Sequence, residues 1–197
     1  MNPGSKSSLE LQQAYGTHLP VLRYLLDNFD VRSVLEFGLG RFSTALFLTR
    51  GVRLTSVETD EVWLDRFHPK SSMDHRLIFH PDDNVQLVLT GACKDEQYDL
   101  ALVDGPRTTR WLCVNMLMGR AKIIVIHDTD VDYYEWHRIL LPRGFCKLDY
   151  KLLVPWTSIV TAEQGVIAKV QSELIYIKTL SQPDDTQYLR GNDVLAV

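Results

Sequence analysis

The sequence has little of what marks a secreted, membrane-spanning or fibrous protein. Its three cysteines, Cys93, Cys113 and Cys146, are far apart and show no metal-ligand spacing, which argues against a disulfide framework and a cysteine metal site. No run of about 18 apolar residues is present, and the first residues do not resemble an export signal. Internal repeats and low-complexity tracts are also lacking. We therefore expect a cytoplasmic protein with reduced thiols and without a membrane partner.

A strong charge of either sign is lacking as well. The 21 lysines and arginines nearly balance the 25 aspartates and glutamates, and the net charge of −4 argues against nucleic acid as a partner. A hydrophobic share of 45% in 197 residues is enough for the core of one domain. We expect that domain at residues 15–180, after a flexible N-terminus at 1–14 and before a polar extension at 181–197. The pattern does not indicate an oligomeric state.

What the sequence does contain is a strand–turn–helix–strand unit at residues 31–60. The apolar run at 33–35 predicts a buried strand, and the glycine-containing segment 36–40 predicts a turn. A helical pattern follows at 43–49, and a second strand is predicted at 53–57. This order is typical of the mononucleotide-binding half of an open parallel sheet.

Individual residues of this unit distinguish between the nucleotides it can bind. Gly38 is expected to adopt a backbone conformation closed to other residues, and Gly40 to let a ligand approach the main chain. Glu58 ends the second strand, where an acid accepts hydrogen bonds from ribose hydroxyls. Glu36 would repel a pyrophosphate by about 4 kcal/mol at an effective dielectric near 20, but it would attract an ammonium group. Ser43 replaces the third glycine of dinucleotide enzymes, so the unit favours S-adenosylmethionine over NAD.

The rest of the chain alternates helix and strand patterns. Helices are predicted at 17–28 (with Thr17 as N-cap), 61–67, 85–93, 108–118 and 131–140, and strands at 76–79, 98–103, 122–126, 145–154, 165–170 and 174–180. We expect 145–154 to pair with 165–170, although pairing that involves 174–180 is an open alternative. The predicted fold is α/β, a Rossmann-like three-layer sandwich whose mostly parallel sheet ends in an antiparallel C-terminal hairpin.

Parallel strands bring their carboxyl ends to one edge of the sheet, because their crossovers share one hand. The acids that follow these strands should therefore meet in one crevice, where open α/β sheets bind ligands. They are Glu36, Glu58, Asp82, Asp104 and Asp128.

Residues 36–44 resemble the first motif of the class I S-adenosylmethionine-dependent methyltransferases, E/D-x-G-x-G followed by Ser or Thr. The resemblance implies that Asp82 or Asp83 contacts the adenine amino group, although a turn or helix-cap role is an equal alternative. It also implies that Tyr15, Thr17 and His18 lie near the amino-acid end of the cofactor. The full set of implied cofactor-binding residues is Glu36, Gly38, Gly40, Ser43, Thr44, Glu58, Asp82, Asp83 and Asp104.

The chemistry is expected at two strand ends, with Asp104, His127 and Asp128 as candidate catalytic residues. Two carboxylates on neighbouring strand ends can bind a divalent cation that lowers the pKa of a bound hydroxyl. This arrangement resembles the catechol O-methyltransferase group, which implies Mg²⁺ at Asp104 and Asp128, although that group has an asparagine where this chain has Thr129. His127 is a candidate general base near neutral pH, or else a hydrogen-bonded structural residue.

A second resemblance, to the glucuronoxylan O-methyltransferase-like family, rests on three segments. They read FGLG at 37–40, VDGPR at 103–107 and HDTD at 127–130. The match implies methylation of a hydroxyl on a small molecule or a sugar. Two alternatives stay open from the sequence: a non-catalytic subunit that keeps the fold and binds S-adenosylmethionine, and an NAD-linked oxidoreductase.

Overall fold

A computed structural model describes residues 15–67, 74–82, 84–105 and 108–174, together with two short strands at 177–179 and 186–188. The strands are β1 Ser33–Phe37, β2 Arg53–Glu58, β3 His75–Phe79, β4 Tyr98–Val103, β5 Ala121–His127, β6 Leu140–Pro142, β7 Cys146–Tyr150, β8 Thr157–Thr161, β9 Ile177–Thr179 and β10 Thr186–Tyr188. The helices are α1 Leu19–Asn28, α2 Ser43–Arg50, α3 Glu61–Phe67, α4 Val85–Thr90, α5 Arg110–Leu117 and α6 Gln164–Glu173.

The main sheet has the strand order β3-β2-β1-β4-β5-β8-β7-β9. The first five strands in this order are parallel, and β8, β7 and β9 continue the sheet through antiparallel pairs. A separate antiparallel pair joins β6 to β10. The predicted α/β fold with an antiparallel C-terminal end is confirmed.

Helices cover both faces of the sheet, so the central strands β1, β4 and β5 are largely buried and mostly apolar. In β5, Ile124 and Ile126 pack on the face covered by α4 and α5, whereas Ile123 and Val125 pack on the face covered by α1, α2 and α6. Strand β1 divides in the same way between Leu35 and Val34. This two-sided burial anchors the strand ends that carry the acidic residues.

The C-terminal pairing was predicted incorrectly. Strand β7 pairs with β8, a segment in which no strand was predicted, and β8 also pairs with β5. The predicted strand at 165–170 lies instead within α6, where Val166, Ile167 and Val170 are buried. Ile167 and Val170 follow Val166 by one and four residues, a spacing that places all three side chains on one face of a helix. The segment therefore forms a helix and not the predicted strand. The predicted strand at 174–180 does contain β9, which pairs with β7.

The helix predicted at 131–140 was also wrong. This segment forms two short 3₁₀ turns, Asp132–Tyr134 and Trp136–Arg138, followed by β6. Glu135 between the turns has a φ of 52°, which interrupts a right-handed helix. The Trp136 side chain is buried, and its Nε1 donates a hydrogen bond to the backbone oxygen of Asp128 at 3.0 Å.

The two chain ends are described only in part. Residues 1–14 lie outside the described residues, and within 181–197 the structure describes β10, which pairs with β6. The domain boundaries therefore stay predictions. Among the residues that the structure describes, no helix combines the length and apolar character needed to cross a membrane.

Candidate functional site

An open cleft of about 730 Å³ runs along the edge of the sheet where β1, β2, β4 and β5 end. At one end it is lined by Glu58 and Trp63, and at the other by Asp104, His127 and Asp128. Of the five acids expected in one crevice, the structure brings Glu58, Asp104 and Asp128 together at the cleft, whereas the buried Glu36 does not line it. Asp82 is exposed and does not line the cleft, whereas its neighbour Pro81 does, and Asp83 lies outside the described residues.

The glycine turn after β1 packs against the turn after β4. Gly38 has a φ of 92°, as expected of a position that excludes other residues, and a Cβ there would lie 2.7 Å from the Cα of Gly105. A Cβ on Gly105 would lie 2.6 Å from the Gly38 nitrogen, so the contact needs glycine on both sides. A Cβ on Gly40 would lie 2.9 Å from Ser43 Oγ, so this glycine makes room for the first residue of α2. The approach of a ligand to Gly40 stays a prediction.

The three backbone N–H groups of this turn already have acceptors within the protein. Gly38 donates to the Val57 carbonyl at 2.9 Å, and Leu39 donates to Glu58 Oε2 at 2.8 Å. Gly40 donates to Thr44 Oγ1 at 2.9 Å. An anion at the turn would therefore have to displace an existing hydrogen bond to reach any of these amides.

Glu36 lies beneath the turn and is fully buried. Its Oε2 accepts hydrogen bonds from Thr44 Oγ1 and Ser56 Oγ, both at 2.8 Å, while its buried Oε1 has no partner among the described residues. Burial raises the pKa of Glu36 from 4.5 to about 7, against the effect of the Ser43, Thr44 and Ser56 hydroxyls. The Thr44 hydroxyl donates to Glu36 and accepts from the Gly40 amide, so Glu36 is linked to the turn through Thr44. Its direct contact with a cofactor ammonium stays a prediction.

Glu58 is held at the edge of the cleft by backbone amides. Besides the bond from Leu39, its Oε1 accepts hydrogen bonds from the amides of Thr59 at 2.7 Å and Asp60 at 2.9 Å. Trp63 lies beside it on the cleft wall, with the Arg66 guanidinium 4.7 Å from its ring centre. An oriented carboxylate and an aromatic face therefore meet at this end of the cleft.

At the other end of the cleft, His127 joins two distant segments. Its Nδ1 lies 3.0 Å from Asp104 Oδ1, and its Nε2 lies 2.8 Å from Thr17 Oγ1. Since Asp104 is a carboxylate, we assign the proton to Nδ1, with Thr17 donating to Nε2. Thr17, predicted as the N-cap of α1, thus contacts His127 instead, and the N-cap position belongs to His18.

The two members of this pair stabilise each other's charged forms. Burial alone would raise the pKa of Asp104, but the hydrogen bond from His127 and the charge of Arg110 hold it below its ordinary value. Burial alone would lower the pKa of His127, but its hydrogen bond to Asp104 and the charges of Asp104 and Asp128 raise it. Both residues are therefore held in a fixed arrangement by charge-assisted contacts.

His18 completes a cluster of ionisable side chains. It is 2% exposed, its two ring nitrogens have no hydrogen-bond partner among the described residues, and its ring meets that of His127 edge-on at 4.6 Å. Burial lowers the pKa of His18 to about 4, so it is neutral at pH 7. His18, Asp104 and His127 offer ligating atoms within 4.8 Å of one another.

Arg110 is the site residue that the sequence reading missed. Its side chain is buried at the start of α5, and Nη1 contacts Asp128 Oδ2 at 2.9 Å. Nη2 lies 3.4 Å from Asp104 Oδ1 and donates to the Asp104 backbone oxygen at 2.8 Å. A signal existed, because Arg110 shares the buried helical stripe of Cys113, Val114 and Leu117. A charged residue in such a stripe is rare unless it is paired.

This arrangement does not fit the predicted Mg²⁺ site. Asp104 Oδ1 and Asp128 Oδ2 both contact the Arg110 guanidinium, so a magnesium ion bound by the remaining oxygens would lie beside a fixed positive charge. Thr129, at the position of the third ligand in the catechol O-methyltransferase group, is buried, and its hydroxyl is hydrogen-bonded to the Ser158 hydroxyl at 2.8 Å. The positive charge beside the two acids is thus provided by the chain itself.

At the level of sequence, no protein-family model matches the chain, and no curated protein matches it significantly. Solved structures do resemble it. A methyltransferase of Podospora anserina, PaMTH1, bound to S-adenosylhomocysteine, is 12% identical with a TM-score of 0.55, covering 74% of this chain and 77% of that one. An O-methyltransferase of Bacillus cereus, in complex with S-adenosylhomocysteine, is 17% identical with a TM-score of 0.53, covering 82% and 84%.

A third structure is the MycE methyltransferase of the mycinamycin biosynthetic pathway, in complex with Mg, S-adenosylhomocysteine and mycinamycin VI. It is 14% identical with a TM-score of 0.53 over 73% of this chain, which spans about half (49%) of the length of that protein. At these identities the likeness concerns the backbone. It shows that this chain has the Rossmann-like fold of S-adenosylmethionine-dependent methyltransferases.

Proposed function

We propose that this protein is an S-adenosylmethionine-dependent methyltransferase that transfers a methyl group to a hydroxyl oxygen of a small molecule or sugar in the cytoplasm. The observation that carries the proposal is the state of the glycine turn. Its three amides are bonded within the protein, and the carboxylates of Glu36 and Glu58 accept hydrogen bonds around it. Such a turn has little to offer a phosphate and is suited to a cationic nucleoside.

This observation separates the proposal from an NAD-linked oxidoreductase. Dinucleotide enzymes bind a pyrophosphate at a helix N-terminus through the amides of the glycine turn. Here the Leu39 amide is bonded to a carboxylate and the Gly40 amide to the Thr44 hydroxyl. A pyrophosphate could not accept hydrogen bonds from those amides, and it would lie close to Glu58, whose negative charge would repel it.

The residues at the nucleoside end of the cleft fit S-adenosylmethionine. Glu58 has about one lone-pair site left beside its three amide hydrogen bonds and can accept a hydrogen bond from a ribose hydroxyl, while Trp63 provides an aromatic face for adenine. Tyr15 and Asp104 line the part of the cleft that would hold the amino-acid end. When bound, the cofactor supplies a methyl group activated by a sulfonium.

The protein must then orient the acceptor hydroxyl and remove its proton. The contacts of Asp104 with His127 and Arg110 both fall on Oδ1, so Oδ2 is the oxygen assigned to the acceptor. In this scheme Asp104 accepts a hydrogen bond from the acceptor hydroxyl and orients it, and the hydroxyl proton passes to water of the open cleft as the new bond forms. His127 is a positioning residue that fixes the carboxylate. The 3% exposure of His127 and its bonded nitrogens argue against direct contact with the acceptor.

The choice of oxygen as acceptor rests on the setting of Asp104 and on the fold. A carboxylate whose pKa is held low is a hydrogen-bond acceptor suited to orienting a hydroxyl. The Bacillus cereus protein that shares the fold is itself an O-methyltransferase. The proposed domain is residues 15–180, as expected from the sequence.

Calorimetry with S-adenosylhomocysteine, S-adenosylmethionine and NAD tests the cofactor directly. We expect the first two to bind and NAD not to bind. Glu58→Gln should weaken the binding of S-adenosylhomocysteine by roughly 10- to 150-fold, since a charged hydrogen bond contributes about 1.5–3 kcal/mol. Glu61→Gln, which changes an exposed residue at the start of α3, is the matched control and should bind normally. NAD binding without S-adenosylhomocysteine binding would overturn the proposal.

Methyl transfer is tested with labelled S-adenosylmethionine and a panel of phenols, sugars and sugar acids. We expect a methyl ether as the product, and Asp104→Asn should lower kcat while S-adenosylhomocysteine still binds. His127→Asn should shift the pH profile of kcat, because the carboxylate then lacks its imidazole partner. Cofactor binding without transfer to any oxygen, nitrogen or sulfur acceptor would instead support the non-catalytic binding subunit.

A further inference from the structure

We infer that Arg110 takes the place of a divalent cation at the Asp104–Asp128 pair, so that this site works without a metal. The metal-binding experiments test this inference whatever reaction the protein catalyses. The turnover experiment rests on the proposed function, and its failure can be distinguished from a failure of the metal-binding experiments.

The guanidinium already occupies one oxygen of each carboxylate. It bridges them, with Nη1 at 2.9 Å from Asp128 Oδ2 and Nη2 at 3.4 Å from Asp104 Oδ1. The planar fork of arginine is suited to such bridging, and arginine stays charged at any pH of interest. A hard cation such as Mg²⁺ would be left with the other two oxygens, Asp104 Oδ2 and Asp128 Oδ1, and would lie beside the guanidinium.

Arg110 is fixed in this position by further contacts. It donates to the backbone oxygens of Asp104 at 2.8 Å and His127 at 3.4 Å, so it connects the ends of β4 and β5. Its guanidinium lies 3.9 Å from the ring centre of Tyr134, which covers it from the 3₁₀ turn. Moving the side chain aside would break all of these contacts and leave a buried charge unpaired.

The electrostatic balance points the same way. The two carboxylates carry two negative charges, and one of these is already compensated by Arg110. Repulsion between unit charges about 4 Å apart is about 4 kcal/mol at an effective dielectric near 20, and a divalent cation is repelled more strongly, so its binding would be weakened by at least about a thousandfold. The site therefore keeps a positive charge beside the acceptor oxygen without the need for an ion.

The first experiment uses the wild-type protein and Mn²⁺, a spectroscopic substitute for Mg²⁺. Electron paramagnetic resonance titration should detect no Mn²⁺ binding that depends on Asp128, so wild type and Asp128→Asn should give the same binding curve. Asp128 is a suitable probe because it is not part of the His18, Asp104 and His127 cluster. Binding of Mn²⁺ by wild type that is lost in Asp128→Asn would overturn the inference.

The second experiment removes the guanidinium. Arg110→Ala leaves two adjacent carboxylates unpaired, and we expect it to gain Mn²⁺ binding at least about a thousandfold tighter than wild type. The gain should disappear in Arg110→Ala/Asp128→Asn. Arg138→Ala is the control, since it removes another arginine, one that pairs with Glu135 and stacks on Trp111, and it should gain nothing.

Turnover provides a third readout. Wild-type methyl transfer should be unchanged in excess EDTA, whereas Arg110→Ala should lose it in EDTA and regain part of it with added Mg²⁺. Wild-type turnover that stops in EDTA and returns with Mg²⁺ would overturn the inference. If Arg110→Ala does not fold, the wild-type titration and the EDTA assay still decide the matter.

Discussion

At the scale of single residues, the same side chain behaves differently at two neighbouring strand ends. Glu58 is held by three backbone amides at the edge of the cleft. Glu36 is fully buried, and one of its oxygens lacks a partner among the described residues. Burial without full compensation disfavours the charged form. We therefore expect Glu36 to make the stability of the protein depend on pH near neutrality.

The pKa of Glu36 rises from 4.5 to about 7 on folding, so the folded state holds its proton over a range in which the unfolded state has lost it. Stability from this group is fully present below pH 4.5 and falls as the pH rises to about 7. Glu36→Gln keeps an acceptor for Thr44 and Ser56 but cannot ionise. The free energy of unfolding of the variant relative to wild type should increase by about 3 kcal/mol between pH 4.5 and 8.

Urea unfolding at a series of pH values measures this difference. Glu61→Gln is the control, because its side chain is exposed, and its curve should run parallel to that of wild type. If the Glu36→Gln and wild-type curves also run parallel between pH 4.5 and 8, the buried carboxylate is not the group that titrates.

Residue-level prediction from the sequence worked where a residue's position follows from a strand end. Glu58, Asp104 and Asp128 each end or directly follow an apolar run, and parallel topology then brings them together. It did not identify Arg110 as a site residue, and it did not place His18 in the cluster with Asp104 and His127. The positions of both residues depend on which side chains face them across the cleft. That information lies in the packing of α1 and α5 against the strand ends.

At the scale of elements, the site is built on the contact between two turns. Gly38 follows β1 and Gly105 follows β4, and the backbones meet so closely that neither position has room for a Cβ. The contact places Asp104, the residue before Gly105, against the turn that carries Leu39. The distance between the Glu58 end and the Asp104 end of the cleft therefore depends on this pair of glycines.

Gly105→Ala tests this dependence. Its Cβ would lie 2.6 Å from the Gly38 nitrogen, so the turns must separate, and we expect a loss of roughly 1–3 kcal/mol in the free energy of unfolding. The affinity for S-adenosylhomocysteine should fall as well. Gly165→Ala in α6 is the matched control, because a Cβ there meets nothing within 4 Å, and a gain of about 0.5–1 kcal/mol is expected. Normal stability and affinity of Gly105→Ala would show that the turns adjust freely.

Element boundaries were predictable where one period dominated the pattern. Strands β4 and β5 are continuous apolar runs and were predicted nearly to the residue. Strand β8 was missed because Thr157, Ser158 and Thr161 make it look like a loop, yet all of its residues are buried. Their hydroxyls are useful inside the protein: Ser158 donates to Asp149, and Thr161 donates to the Lys122 carbonyl. Such pairing across strands is not visible in a single sequence.

At the scale of the whole molecule, the core and the cleft lie at different positions along the strands of the sheet. The strand interiors form a core on both faces, and the carboxyl ends of β1, β2, β4 and β5 form the cleft. The opposite edge carries turns such as the one at residues 91–95, which follows α4 and precedes β4. Because the rigid core lies between the two edges, a ligand at the cleft should not alter local opening at the far edge.

Hydrogen exchange with and without S-adenosylhomocysteine tests this separation. At about 100 times the dissociation constant, a ligand stabilises the folded state by about 2.7 kcal/mol, so amides that exchange only by global unfolding slow by roughly 100-fold everywhere. Amides that exchange by local opening respond only where the ligand lies. We expect added protection for Leu39 and Gly40 and for the Thr59 and Asp60 amides, whose hydrogen bonds line the cleft. The turn at 91–95 should exchange at its free-protein rate, and protection there without protection at Leu39 would place the ligand at the wrong edge of the sheet.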